Sequence, residues 1–591
     1  MASLPQVYDV IESYDHPRDY VADELLRLDV IIECEIQRMQ AVQSEAEQAL
    51  DSFRGMYMSP AEAVALIEEE PARLRLTADQ EAMVRQLDLR IAARLGKTRK
   101  LGKTLPALVL QDRFGLSELD LRMLTVALAP HVNRKYLKLY GYLHDDLTRQ
   151  YVTPELILRL CCATEEERQR ALEALLGAEG PLRPFFVSAH NPDPVQEASV
   201  LLRPVRLTGR MVHFLLGLAW RHAGPLSSIR RFDGENGAEL PGFTIHRELL
   251  QQTLRQARRA AESGASVVWM VHGPPGSGKT LLARHTGKEL GRPVLEWDVS
   301  AAPEDEANFK AAVDHFLLEA KLAGAIPALA GVHLIEPEGG EADRRRDRRR
   351  EWLVERLETW RDMAFVMGER EFKPARLVSD LIWIPVALPA PDLEESRRLW
   401  LALSEGKAPL GEAEAALLAG KFRFTPGQIA AAVETAQRLA RWTSLPAESG
   451  KSAVLADAGK RVHRAAYQYI DHRLRDKAVK LEAGFGWDDL VLPAETLQLL
   501  RQACLRLKHR HTVLKRWGFE SKLPYGKGTS MLFTGPPGTG KTMSAIVMAN
   551  ELNAELYRID LSRVVSKYIG ETEKNLSEIF DQARLGGAIL F

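Results

Sequence analysis

Cysteine is scarce: Cys34, Cys161, Cys162 and Cys504 are the four that occur in 591 residues. They are scattered, and the adjacent pair falls inside a helical pattern, so neither a disulfide framework nor a metal-ligand spacing emerges. That usage suits a reducing cytosol. Long apolar runs are missing too, none approaching the roughly 20 residues that a bilayer-spanning helix needs. Charge of one sign is also absent. A formal net charge of −1 gives the molecule as a whole no pull on nucleic acid, an anionic membrane or an acidic substrate. The opening "MASLPQVYDVIESYDHPRDY" has neither the basic n-region nor the apolar h-region of a signal peptide. These absences predict a soluble cytoplasmic protein.

What is present is an ordinary globular balance, 46% apolar and 27% charged, which argues against long disorder. The length allows several domains, each with its own core. Residues 1–55 read as helix, with Leu25, Leu28, Ile31 and Ile32 at helical spacing. Residues 56–235 read as further helices broken by "GLSELD" and "AEGP", then two strand-like pieces, "PFFVSA" and "ASVLLRPVRL". Helices followed by a small strand pair fit a winged-helix-like domain. A Gly-rich break, "RRFDGENGAELPGF", marks the next boundary. Over 236–390 strand candidates ("SVVWMV", "PVLEWDV", "AFVM", "LIWIPVAL") alternate with helices, the pattern of a parallel sheet covered on both faces. Residues 391–478 are mostly helical, and 482–591 restart the strand–loop–helix theme after "GFGWDDLVLP", where Trp487 is expected to pack.

The second theme repeats the first. "VHGPPGSGKT" at 271–280 returns as "FTGPPGTGKT" at 533–542, and "AKLAGAIPAL" at 320–329 returns as "ARLGGAILF" at 583–591. Two matches in one register indicate two copies of one module. Each loop fits G-x-x-x-x-G-K-[ST] between a predicted strand and a predicted helix. Gly273, Pro274, Pro275, Gly276, Ser277 and Gly278 form the first loop; Gly535, Pro536, Pro537, Gly538, Thr539 and Gly540 form the second. Such glycines let the backbone curl around an anion with its N–H groups inward. Lys279 and Lys541 are placed to reach β/γ-phosphates, and Thr280 and Thr542 to offer Mg²⁺ a hydroxyl. The expected cofactors are ATP and Mg²⁺. A Gly-Pro turn that binds nothing is the competing reading, and two copies in one context weigh against it.

"GPPGTGKT" followed by "LYRIDLSRVVSKYIGETEKNLSEIFDQARLGGAILF" closely resembles the AAA+ ATPase module in its unfoldase and remodelling branch. The layout also looks like the ATPases of bacterial extracellular contractile injection system gene clusters, with a winged-helix-like start, a divergent first module and a well-matched second. The resemblance implies an α/β fold of P-loop modules with helical lids, a ring, commonly a hexamer, of identical chains, and a protein substrate. It also implies a carboxylate pair, the Walker B acids, at the end of the strand after "GAI". In the first module that register puts Ala330 and Gly331 in the acids' places; a shifted register would promote Glu336 or Glu338, with Pro337 between them. In the second, "LGGAILF" reads as the Walker B strand, ending just before its acids. No complete catalytic site is therefore expected in the chain. Gly368 and Glu369 stand where the family commonly has Asn or Thr. "SKYIGETEKNL" carries the aromatic pore-loop signature at Lys567, Tyr568, Ile569 and Gly570, whereas the first module's "DVSAAPEDEANF" has no such aromatic. Arg370 and Arg376 are arginine-finger candidates. "DRRRDRRREW" at 343–352 could serve as a finger or pore lining, or be a solvated helix face.

"RIAARLGKTRKLGK" is basic, but its surroundings carry many acids and no interleaved aromatics, which argues against nucleic acid. His509 and His511 point apart on a helix, which argues against a metal. Two alternatives to a remodelling ATPase stay open: a non-hydrolysing ATP-dependent assembly scaffold, and an ATP-dependent DNA-associated factor.

Overall fold

The computed structural model describes residues 12–46, 76–177, 179–188, 199–222, 224–233, 240, 243–335, 342–374, 381–443, 458–467, 478–481, 484–509, 517, 529–552, 554–559 and 571–591. They form two compact units, Met1–Arg231 with Ala301–Pro327, and Phe232–Ser300 with Ala328–Phe591.

The first unit opens with helices α1 (Pro17–Ala46), α2 (Ala78–Lys100), α3 (Pro106–Phe114), α4 (Glu118–Val132), α5 (Lys135–Leu143), α6 (Pro154–Cys161) and α7 (Glu165–Leu176). Capping boxes set three of the starts. Thr77, Ser117 and Thr164 accept the third helical N–H, while Gln80, Asp120 and Glu167 reach back to the cap, satisfying two orphan donors at each end. Leu25, Leu28, Ile31 and Ile32 are buried in one core with Tyr136, Tyr140, Leu156 and Phe185. Strands β1 (Phe186–Ser188) and β2 (Val205–Leu207) then pair antiparallel, Phe186 opposite Leu207, ahead of helix α8 (Gly209–Leu215). The helices-then-hairpin order is the one expected of a winged-helix region.

The basic stretch is neutralised inside this unit. Arg90 and Arg94 lie 3.7 and 2.6 Å from Asp23, Arg99 2.6 Å from Asp112, and Lys103 2.5 Å from Asp15. All four cysteines are buried and unpaired. Burial pushes the Cys161 and Cys162 thiols up to about 12, so neither is a thiolate at neutral pH.

A six-stranded sheet follows, made of β3 (Arg230–Phe232), β4 (Ser266–His272), β5 (Val294–Asp298), β6 (Ile326–Ala330), β7 (Ala364–Gly368) and β8 (Leu381–Ala387), in the order β3–β5–β6–β7–β4–β8. Strand β4 sits between parallel partners, Trp269 pairing with Phe365 on one side and Ile384 on the other. A strand covered on both faces reads as an unbroken apolar run, and Val267, Val268, Trp269, Met270 and Val271 are all buried. The helices are α9 (Arg247–Ser263), α10 (Lys279–Glu289), α11 (Glu306–Ala323), α12 (Ala342–Trp360), α13 (Leu393–Ser404), α14 (Glu412–Lys421) and α15 (Pro426–Thr443), with a further helical stretch at 458–467. Helix α11 groups with the first unit, where Arg113 Nη1 donates to the carbonyl of Leu322 at 2.6 Å, in its last turn. A cation at a helix C-terminus satisfies orphan carbonyls and complements the dipole.

The last part of the chain adds β9 (Ala478–Leu481), helix α16 (Ala494–Lys508), helix α17 (Lys541–Glu551), β10 (Leu556–Ile559), helix α18 (Glu571–Gly586) and β11 (Ile589–Leu590). Strand β10 pairs antiparallel with β9 and parallel with β11. Trp487 packs where expected, with Leu490, Leu500, Cys504 and Val547, and its Nε1 donates to Glu551 at 3.3 Å.

One expectation is corrected here: the segment before the second glycine loop, residues 529–534, is not a strand. A parallel strand exists only through hydrogen bonds to neighbours. Strand β4 has two such neighbours, whereas among the described residues nothing pairs with 529–534, and Leu532 is 89% exposed. Among the described residues no helix is long and apolar enough to cross a membrane.

Candidate functional site

The two glycine loops share one backbone conformation. Gly273, Gly276 and Gly278 have φ of 153°, 79° and 105°; Gly535, Gly538 and Gly540 have 150°, 82° and 85°. A side chain is strained in that region of φ, so the glycines are required by geometry. The lysines match as well. Lys279 Nζ donates to the carbonyls of Gly273 and Pro274 at 2.7 and 2.9 Å, and Lys541 Nζ to those of Gly535 and Pro536 at 2.8 and 2.6 Å. Each ammonium folds over the mouth of its loop, and Thr280 and Thr542 follow in the first turns of α10 and α17. Burial pulls the Lys279 amine below the usual lysine range, and the charge of Glu369 opposes the shift. Ser277 is 3% exposed and its Oγ has no hydrogen-bond partner, whereas Thr539 Oγ1 donates to the carbonyl of Pro536 at 2.9 Å. A buried, unpartnered hydroxyl within a curl of left-handed glycines fits an anion that would supply the missing acceptor.

Three further segments close on the first loop, and sequence reasoning missed them. Thr425, just ahead of α15, donates its Oγ1 to the carbonyl of Pro275, and Gly427 N–H donates to Gly276 O, both at 2.8 Å. A Cβ on Gly427 would come within 3.0 Å of Gly276. The ring of Phe243 lies 3.5 Å from where a Cβ of Gly278 would stand, and Leu490 lies 3.9 Å from the same point on Gly540. Each loop thus has an apolar side chain, from the segment before its module's first helix, against its third glycine. The third segment is the end of β8, where Leu388 N–H donates to His272 O at 2.8 Å. The only sequence signal for these was the "TPG" helix start at 425–427 and the apolar residue shared by "PGFTI" and "DDLVL".

At the sheet end beside the loop, Gly273 N–H donates to Gly368 O at 3.2 Å. Strand β6 stops at Ala330, and Gly331 follows at φ 74°, where a Cβ would lie 2.6 Å from Asp298 Oδ1. Neither residue carries an acid. His333 Nε2 stands 3.8 Å from Glu369 Oε1. Glu336 and Glu338 lie outside the described residues, as do Arg376 and the whole pore-loop set Lys567, Tyr568, Ile569 and Gly570. Arg370 is exposed just after β7.

The arginine run is not simply solvated. Arg350 pairs with Asp347 at 3.0 Å and Arg356 stacks 3.9 Å over Trp352, because the same helix buries Leu353, Val354 and Leu357. His509 caps α16 and His511 lies outside the described residues; among those described, no cluster could hold a metal ion through His, Cys, Asp or Glu.

The lid of the first module and the second module share a core. Phe422, Phe424, Val433 and Val462 pack with Tyr557 and Ile579. At its margin Lys421 Nζ lies 3.0 Å from His463 Nε2, and a Cβ on Gly587 would come within 2.8 Å of Lys421 O. Burial pulls Lys421 down to about 8 against the opposing charge of Glu555.

Comparison with known proteins agrees with this architecture. Residues 6–223 match the family model "Winged helix domain, variant", and residues 269–363 and 531–591 match that of the "ATPase family associated with various cellular activities (AAA)". The chain thus carries an N-terminal winged helix domain followed by AAA ATPase domains. Among individual relatives, it is similar to an uncharacterized AAA family ATPase of Sinorhizobium fredii, at 33% identity over 20% of this chain and 33% of the relative. It is also similar to Cell division protein C of Sulfolobus acidocaldarius, at 46% over 18% and 27%. A longer match joins it to Cell division control protein 48 homolog C of Arabidopsis thaliana, at 25% over 53% and 42%. The chain spans less than half the length of each.

Proposed function

We propose that this protein is a tandem AAA ATPase that couples ATP to the remodelling or assembly of a protein partner. The observation that carries it is the duplicated loop: two sets of three left-handed glycines, each with its lysine folded over the mouth. In this reading Gly273 to Thr280 and Gly535 to Thr542 hold the triphosphate, with Thr280 and Thr542 toward Mg²⁺; bound Mg²⁺ supplies charge neutralisation at the phosphates. Backbone N–H groups orient the phosphates, the lysines balance their charge, and Phe243 and Leu490 offer apolar surface for a base. Hydrolysis is assigned to the second module, because Ala330 and Gly331 leave the first without a carboxylate where one would orient the metal shell or polarise water. The first module then acts as a nucleotide-bound brace in a homo-oligomeric ring, a hexamer by family likeness. The domain ranges follow the sequence reading, and the pore loop at Lys567–Gly570 would grip an extended polypeptide through Tyr568. The overall layout supports a place in a bacterial contractile injection system, in the cytoplasm.

Equilibrium binding of ATP·Mg²⁺ and light scattering test this together. Two sites per chain are expected, with Lys279→Ala removing one and reducing the oligomer. Wild-type chain that binds no nucleotide defeats the proposal, and unchanged oligomer size in the variant defeats the brace.

A further inference from the structure

The first nucleotide cradle has an acid where a triphosphate would end. Strands β4 and β7 are parallel neighbours with His272 opposite Gly368. The next residue on each, Gly273 and Glu369, therefore leaves the sheet side by side at the strand spacing of about 4.8 Å. Gly273 N–H is fastened to Gly368 O, and Lys279 Nζ is anchored on Gly273 O. The lysine marks the β/γ end of the loop, so Glu369 stands at the γ end. Its field is the acidic one that acts on Lys279. The packing fixes this placement: a Cβ on Gly368 would meet Val332 Cγ2 at 3.4 Å and His333 Cβ at 3.5 Å, so the turn after β6 lies close against this strand end. His333 Nε2, at 3.8 Å from the Glu369 carboxylate, is beyond hydrogen-bond reach and leaves that charge facing the loop. The neighbouring strand end, Ala330 and Gly331, holds no acid to draw a metal ion in as compensation.

We infer that the first site is built to retain a nucleoside diphosphate in preference to a triphosphate, with Glu369 as the residue that sets the preference. This rests on reading the loop as a nucleotide cradle. A β-phosphate meets the loop N–H groups and Lys279 alone, whereas a γ-phosphate also meets a like charge. At the partly solvated edge of a site such a pair costs enough to change affinity roughly tenfold.

The test uses the full chain carrying Lys541→Ala, so that calorimetry reads the first site, with ADP and the non-hydrolysable analogue AMP-PNP, both with Mg²⁺. ADP is expected to bind at least about tenfold tighter than AMP-PNP. Adding Glu369→Gln should bring the two affinities together by strengthening AMP-PNP while leaving ADP unchanged. Equal affinities before the change, or an equal loss of both ligands after it, overturns the inference while leaving the cradle standing. Absence of binding by either nucleotide overturns both. A Glu369→Gln chain that keeps its ADP-to-AMP-PNP ratio but loses slow ATP turnover would recast Glu369 as a water-activating acid, and likewise overturns the preference.

Discussion

Replacing Gly331 by alanine adds one methyl group at a position where backbone and neighbour both oppose it. At φ 74° a non-glycine residue costs about 1–2 kcal/mol. The new Cβ would stand 2.6 Å from Asp298 Oδ1, so the carboxylate must move. That oxygen accepts the Ser300 N–H at 2.9 Å, and losing the bond adds about 1 kcal/mol. The total is about 2–3 kcal/mol, which for a unit of this size lowers Tm by about 5–10 °C. Calorimetry of the intact chain reads it, in the transition containing β5 and β6. The companion Asp298→Ala removes the contact but not the strain, so the double variant should be less destabilised than the two singles added, by about 1 kcal/mol. A Gly331→Ala chain within about 1 °C of wild type would refute the reasoning, since that is the scale of an unconstrained surface change. Gly331→Glu, the change that would restore an acid, should be worse than alanine and should not raise turnover by itself.

Stability should bend with pH at the lid. Burial first and the Lys421 charge second hold His463 down at about 4, below the about 6.5 of a free imidazole. The unfolded chain takes up that proton earlier, so stability is full above about 6.5 and is lost as pH falls toward about 4. His463→Gln should flatten that limb in urea midpoints, and an unflattened limb would count against it. Lys421, held at about 8, acts on the alkaline side: stability should rise between about pH 8 and 10.4, and Lys421→Met should remove the rise. Duplex DNA should not be retained at low salt in an anisotropy titration, because Arg90, Arg94, Arg99 and Lys103 already face Asp23, Asp112 and Asp15. Micromolar binding that weakens with salt would sink that expectation.

The elements legible in the sequence were those whose signal is local. "SVVWMV" announces β4 because a doubly covered strand has no polar face, and the glycine loops announce themselves because φ near 80° or 150° excludes side chains. The β1–β2 pair was readable for the same reason. What was not legible depends on distant partners. Residues 529–534 are as apolar as a strand and have no neighbour to make them one. The four-residue β9, ahead of the expected boundary at 482, acquires its identity only by pairing with β10. The Thr425 and Gly427 contacts to the loop join positions about 150 residues apart in sequence, and nothing local marks them. The arginine run misled because charge density says nothing about the opposite face of its helix, where Leu353, Val354 and Leu357 are buried.

The shared core of the first lid and the second module has a practical consequence. Tyr557 is wholly buried and Ile579 nearly so, among Phe422, Phe424, Val433 and Val462. A fragment that ends after α15, or one that begins at β9, would present half of that core to water. Such halves should be sticky and poorly behaved even where each keeps its own glycine loop. Dissection by truncation would then report the exposed seam rather than the properties of either half, so point changes in the intact chain are the cleaner instrument for assigning work to one module or the other.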